Sequence, residues 1–438
     1  MGRRPYRHTQ ATMTVCLNGN KHPLYCHGRS FMDTPHISRA TTLAMAAGTG
    51  ISVANIYYCQ PLLALMAVSL RVGHAQIGLV ATLTQIGTAL GMLLFVPIGD
   101  VVERRGLILK TCIAASIATA LVSLAATLPL LATACLILGL TSVIPHLLLP
   151  FAAQLAPPER RGQVVGTVMS GLIVGILLAR TASGFIGSAF GWRTMYVIAS
   201  IAMLLLAVVL RVTLPKSHPA ERMHYLALQK SLWALARESA LLREASGIGF
   251  LFFAAFSSFW TTLAFFLQKP PYHYGAQVAG MFGLVAAGSV AAVPRIGEAI
   301  DRRSPRLGVG AGIVTCVAGF ITFLLWGHWL TGLALGVVLM DVGVQAGHLS
   351  NQTRIYARFP HARSRANTVY MVTYFLGGST GSLAGTYAWI LWGWHGVCGA
   401  GLAFMATALA IHLLSHERLG ADELGTSAAV AEYGIIDG

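Results

Sequence analysis

Charge is what this chain has least of. Only 10% of its 438 residues are Asp, Glu, Lys or Arg, against about 25% in soluble domains, and acids contribute just 15. A surface so poor in ions cannot face water on every side. The features of several other classes are missing too. The seven cysteines lack the spacing of a zinc site or a disulfide framework. Cys16 and Cys26, with His22, His27 and His36, are scattered through a polar N-terminal segment, and the rest lie singly in apolar runs. No metal and no cofactor is therefore expected. An intramembrane enzyme would need a nucleophile with its base, paired aspartates or a metal cluster at one depth. Ser170, before Gly171, has no base at helical spacing, and one deep Asp cannot form a dyad. The first forty residues never assemble the apolar core of a cleavable signal.

What the chain has instead is apolar length. Its residues are 55% hydrophobic and its mean hydropathy is +0.67. Twelve runs of membrane-spanning length recur with short gaps: 42–67, 76–99, 107–127, 130–153, 164–189 and 192–214, then 247–267, 276–297, 307–327, 330–353, 366–389 and 393–414. In hydrocarbon only helices and closed barrels satisfy their own backbone groups, and these runs are too long for barrel strands. The pattern predicts an all-α membrane protein of two six-helix bundles, 41–214 and 246–415. A disordered tail (1–40), a linker (215–245) and a C-terminal tail (416–438) flank and join them. An even number of spans puts both ends on one side.

Basic residues name that side, because Lys and Arg accumulate in short cytoplasmic loops. One set of loops holds Arg104, Arg105, Lys110, Arg160, Arg161, Arg237, Arg243, Arg302, Arg303, Arg306, Arg354, Arg358, Arg363 and Arg365, whereas the opposite set holds only Arg71, Arg193 and Lys269. Both termini and the linker are accordingly expected in the cytoplasm, with the chain in the inner membrane. The net charge of +15 then faces anionic lipid head groups, each basic residue contributing about 1 kcal/mol near that surface. No aromatic reading surface accompanies the charge, so nucleic acid is not an expected partner.

The halves echo one another at an offset of about 200 residues, measured directly on the sequence. Ile98, Gly99, Asp100, Glu103, Arg104 and Arg105 return by class as Ile296, Gly297, Glu298, Asp301, Arg302 and Arg303. Thr167 and Val168 return as Thr368 and Val369, and Gly191 and Trp192 as Gly393 and Trp394. Gly99, Asp100, Arg104 and Arg105 resemble the loop signature between the second and third helices of the major facilitator superfamily. Tyr57, Tyr58 and Pro61, with the stretch Gly175 to Thr181, resemble a bacterial inner-membrane, drug-efflux-like branch of it. The resemblance covers roughly residues 41–415. It implies two bundles rocking about a central cavity lined by helices one, four, seven and ten.

Two kinds of site follow. Asp100, braced by Arg104 or Arg105, is expected to latch the N-terminus of helix eleven, whose unpaired amides favour negative charge. Glu298 or Asp301, with Arg302, would latch the start of helix five in the same way. Within the membrane, where ionisable groups default to function, only Arg180 and Asp341 lie deep, and at one depth. They form either a structural salt bridge or an exchangeable pair that a proton or solute opens. Asn55, Tyr58, Gln85, His146, Gln345, Tyr370 and Tyr374 could meet a solute, as could the aromatic stripe that includes Phe256 and Trp260. His146 and His348 are near-neutral candidates for proton handling. The leading expectation is a monomeric, alternating-access exporter of a small amphipathic molecule, driven by protons carried on Asp341. Uptake or facilitated diffusion of a sugar-like or organic solute is the second reading.

Overall fold

Proline decides where the helices of this protein bend. The structure, a computed structural model, describes residues 37–217, 225–290, 304–360 and 362–433, and no strand occurs among them. Ten of the described helices are long and apolar enough to cross a membrane. In the first half these are α1 (Arg39–Leu70), α2 (His74–Gly99), α3 (Arg104–Leu124), α4 (Leu128–Leu155), α5 (Arg161–Phe190) and α6 (Trp192–Thr213). In the second half α7 (Ala240–Gln268), α8 (Ala276–Val290, shorter), α9 (Pro305–Trp326) and α10 (Leu330–Arg358) precede a last run, Arg363–Ser415. That run turns at Gly393, with φ of 60°, into α11 (363–392) and α12 (394–415). Dividing it there, and counting α8, yields the twelve helices the hydropathy predicts.

Pro61 has no N–H for the carbonyl of Tyr57, and α1 breaks there into Arg39–Tyr57 and Cys59–Leu70. Pro145 does the same to α4, which divides into Leu128–Thr141 and Ile144–Leu155, with Pro150 inside the second piece. Pro97 lies inside α2 and leaves the Leu93 carbonyl without its intrahelical donor. A linker helix, Tyr225–Glu238, supplies the replacement: Gln229 Nε2 donates to Leu93 O at 2.7 Å, and Tyr225 Oη to Leu94 O at 3.3 Å.

Lipid offers no hydrophobic drive between helices, so close backbone approach and interhelical hydrogen bonds hold the bundles. In the first half, α1 meets α5 where a Cβ on Gly175 would stand 2.3 Å from Gly50 O. In the second, α7 meets α11 where a Cβ on Gly381 would stand 2.0 Å from Ala254 O. The same packing recurs at equivalent places in the two halves. Thr49 Oγ1 donates to Val168 O at 3.0 Å across the first pair, and Thr261 Oγ1 to Ser382 Oγ at 3.0 Å across the second. Gly191 (φ 85°) and Gly393 (φ 60°) turn the chain into the sixth helix of each half, each followed by a buried tryptophan. Their left-handed backbone is why the sequence repeats glycine there.

Two helix pairs make the most extensive joint between the halves. Gly184 of α5 packs on Ala276 and Gly280 of α8, and Gly78 of α2 on Thr386 of α11. Both contacts lie toward the end that carries Arg71, Arg193 and Lys269. His74 closes the same end, stacked on Phe265 at 4.5 Å and accepting from Trp389 Nε1 at 3.4 Å. At the Arg-rich end, Gly162 and Gly166 of α5 and Gly288 of α8 face open space.

The helices outrun their apolar stretches. The linker was expected to reach residue 245, but α7 begins at Ala240 and takes Glu244 into its first turns. There Glu244 pairs with Arg354 of α10 at 2.7 Å and Arg306 of α9 at 3.9 Å, pinning three helices. The tail expected over 1–40 lies outside the described residues, apart from 37–40, where Ser38 caps α1 through the Thr41 amide.

Candidate functional site

Arg180 of α5 is the centre of the site. Its side chain is 1% exposed and lies roughly 15 Å from the Arg-poor end of its helix. Burying a guanidinium at this depth is costly unless other groups take over from water. Gln60, just past the α1 break, accepts from Arg180 Nε at 2.7 Å. Three aromatic faces surround the rest: Trp260 at 3.9 Å, Tyr57 at 4.7 Å and Phe256 at 5.4 Å from the guanidinium carbon. Desolvated contacts of this kind are worth about 2 kcal/mol each at their best. Arg180 Nη2 makes no hydrogen bond.

Asp341 of α10 is buried at a similar depth, roughly 17 Å from the same end. The two charges act on one another electrostatically, yet no ion pair joins them, since neither approaches the other within 4.0 Å. Trp260 is a further polar neighbour of the carboxylate, but its Nε1 and Asp341 Oδ1 are both left without a hydrogen bond. Of the two forms the sequence left open, the permanent salt bridge is therefore not the arrangement found. A narrow space lined by Gln60, Pro61, Arg180, Trp260, Leu263 and Ala279 lies beside the guanidinium.

A polar stripe leads from Asp341 toward the Arg-rich end. Asp341, Gln345, His348 and Gln352 fall on one face of α10 at helical spacing, and the later members are partly exposed where Asp341 is buried. His348 Nδ1 lies 3.0 Å from Tyr370 Oη, and its ring is 4.9 Å from that of Tyr374. Tyr374 stacks on Phe253 at 4.2 Å, and Phe375 meets the His146 ring of α4 edge-on at 6.5 Å. His146 and His348 thus face each other from opposite halves, within electrostatic reach.

Other expected residues fall elsewhere. Tyr58 does not share the site; it turns into its own bundle and meets Tyr196 of α6 edge-on at 6.4 Å. Tyr57 takes the place beside Arg180, because neighbours with helical backbone point about 100° apart and Tyr58 keeps helical angles. Asn55 and Gln85 are buried, with both amide atoms of Asn55 and Oε1 of Gln85 unpartnered.

At the Arg-rich end, Arg104 donates to Gln154 Oε1 of α4 at 2.8 Å and to Gly99 O at 2.9 Å, and Arg105 to Arg211 O of α6. These bonds brace one bundle internally. Asn367, at the start of α11, accepts from Gln352 and Tyr356 of its own half. Glu298, Asp301 and Arg302 lie outside the described residues, as does the placement of the Asp100 side chain. Among the described residues, no cluster of His, Cys, Asp or Glu could hold a metal ion.

The sequence profile of the Major Facilitator Superfamily matches residues 45–382. The chain belongs to that superfamily. This major facilitator protein is 38% identical over 379 residues to the uncharacterized transporter YgaY of Escherichia coli O157:H7, covering 86% of this chain and 95% of that one. It is 32% identical to a probable transporter of Streptomyces coelicolor, covering 84% and 86%. Among solved structures it shares its fold with a bacterial homolog of the human lysosomal transporter Spinster, inward-facing and unoccupied. There the TM-score is 0.65 at 18% identity, over 86% of this chain and 96% of that one. The nucleoside transporter NupG matches with a TM-score of 0.69 at 14% identity, over 85% and 98%. The protein is a multi-pass membrane transporter of the major facilitator type.

Proposed function

We propose that this transporter couples solute movement to protons, with Asp341 as the proton carrier and Arg180 as the charge it answers to. The observation that carries the reading is a buried carboxylate and a buried guanidinium at one depth with no ion pair between them. A pair locked at hydrogen-bond distance would serve as structural glue. One held apart by an aromatic box is poised to change its protonation when the bundles rock. The stripe of Gln345, His348 and Gln352 supports a hydrated route from Asp341 to the Arg-rich end. By the charge bias that end is the cytoplasmic one, which makes the described arrangement inward-facing in the inner membrane.

The aromatic lining suits a small amphipathic solute, and export is the direction the aromatic stripe suggests. The Nη2 of Arg180, which has no hydrogen bond, favours the second reading, uptake of an organic solute. A screen of organic solutes in proteoliposomes, with and without a pH gradient, finds what is moved. With any solute so identified, Asp341→Asn is expected to retain counterflow and lose accumulation against a gradient. Undiminished accumulation by that variant sinks the coupling role.

A further inference from the structure

The groups left without partners around Arg180 describe what they would receive. Arg180 Nη2 and Trp260 Nε1 are both donors, both buried, and neither is hydrogen-bonded; the third unpartnered atom, Asp341 Oδ1, is an acceptor that a proton would satisfy. The guanidinium lies 3.9 Å over the indole, and both residues line one narrow space whose other walls include Leu263 and Ala279; it is closed to anything as large as a water in this arrangement, so the bundles must part for it to receive a group. Two unsatisfied donors and one cation beside apolar walls fit an acidic group on a hydrophobic body. A cationic solute would leave both donors unpaired, and an unpaired buried donor costs roughly 1 to 3 kcal/mol; a neutral acceptor could pair them but, unlike an anion, makes no charge-assisted bond to the guanidinium.

Asp341 decides when such an anion can enter. Its ionisable or polar neighbours are Arg180 of α5, Tyr57 of α1, Trp260 of α7, Cys316 of α9 and Tyr374 of α11. Arg180 is the one cation among them. With Asp341 ionised, the guanidinium and carboxylate sum to zero, and an added anion would leave a net negative charge in a low-dielectric interior. With Asp341 protonated, the anion restores neutrality instead. Uncompensated buried charge is the expensive case, so the neutral states are the ones able to close and reopen.

Resting on the reading of Asp341 as proton carrier, we infer that Arg180 and Trp260 receive the acidic group of an organic monoanion, which binds together with a proton on Asp341. The balance is one anion and one proton taken from the same side, the proton placed on the Asp341 carboxylate and no bond broken. Empty and loaded carriers are then both neutral at the centre, and solute and proton cross in the same direction. A carrier of this kind accumulates its solute on the alkaline side.

The test uses the full chain purified in detergent. Aryl monoanions (benzoate, benzenesulfonate and naphthalene-2-sulfonate) are titrated beside neutral benzyl alcohol and cationic benzyltrimethylammonium. Binding is read by calorimetry and thermal unfolding, and proton uptake in weakly buffered solution near neutral pH. At least one anion should bind the wild type with about one proton taken up, and the neutral and cationic probes should bind at least tenfold more weakly. Arg180→Gln should weaken the anion at least tenfold. Arg180→Lys, which keeps a buried cation and so guards against simple misfolding, should fall between. Asp341→Asn should bind the anion without proton uptake.

Failure of every anion to bind the wild type, or equal binding to a folded Arg180→Gln or Arg180→Lys variant and to the wild type, overturns the anion receptor. That result leaves the coupling role of Asp341 standing. Wild-type anion binding with no proton uptake overturns the joint binding and counts against Asp341 as carrier as well.

Discussion

At the scale of single residues, what distinguishes this site is how Arg180 is kept charged without a carboxylate against it. Gln60 satisfies one N–H and aromatic faces replace water on the flat sides. Tyr57 and Tyr58 are adjacent in sequence, yet they belong to different environments. Tyr57→Leu removes one face of the box, at a cost of about 0.5 to 2 kcal/mol, and is expected to slow transport several-fold; Tyr57→Phe should not. Tyr58→Leu should lower thermal stability through the lost Tyr196 contact and change transport less. Equal transport defects at the two positions would contradict the placement. Arg180 and Asp341 were legible in the sequence because charge is so rare at membrane depth. Which tyrosine faces them was not, since neighbours on a helix point about 100° apart and an apolar run does not say which direction meets the other half.

At the scale of elements, the linker helix is tied to α2 by a defect in α2. Pro97 leaves the Leu93 carbonyl unpaired and Gln229 pairs it at 2.7 Å. Gln229→Ala should therefore destabilise the protein by about 1 kcal/mol. In a Pro97→Ala background, where the replacement residue brings an N–H of its own to that carbonyl, the same substitution should cost distinctly less. A double-mutant cycle on unfolding in detergent measures the coupling, and a cycle with none would show the contact to be incidental. The helices themselves were readable as apolar runs, but their ends were not. Glu244 reads as linker because it is charged, yet α7 carries it inward to meet Arg306 and Arg354, which lie about 60 and 110 residues further on. Such partners are invisible to any local window.

At the scale of the whole molecule, duplication accounts for most of what could be foreseen. Gly191 and Gly393 repeat because each turn needs positive φ, and the glycines of α5 and α11 repeat because each must approach its partner helix closely. The joint between halves follows no sequence period, so the packing of Gly184 on Gly280 and of Gly78 on Thr386 emerged only in three dimensions. Orientation rests on the arginine bias and is directly testable. In a cysteine-free background, membrane-impermeant thiol reagents applied to intact cells should label single cysteines placed at Gly73 and, near Gly327, at the exposed Trp329, and spare one at Ser217. Labelling at Ser217 would reverse the topology and with it the inward-facing assignment.

The central claim is that Asp341 carries the proton that moves with the solute. Its most direct measurement is lumenal pH, recorded with a trapped dye in proteoliposomes as a transported solute is added. Wild-type protein should produce a solute-dependent pH change of either sign, lumenal acidification for co-transport and alkalinisation for exchange, while Asp341→Asn should produce none although its counterflow persists. Solute entry without a pH change in the wild type, or an undiminished change in Asp341→Asn, would contradict it.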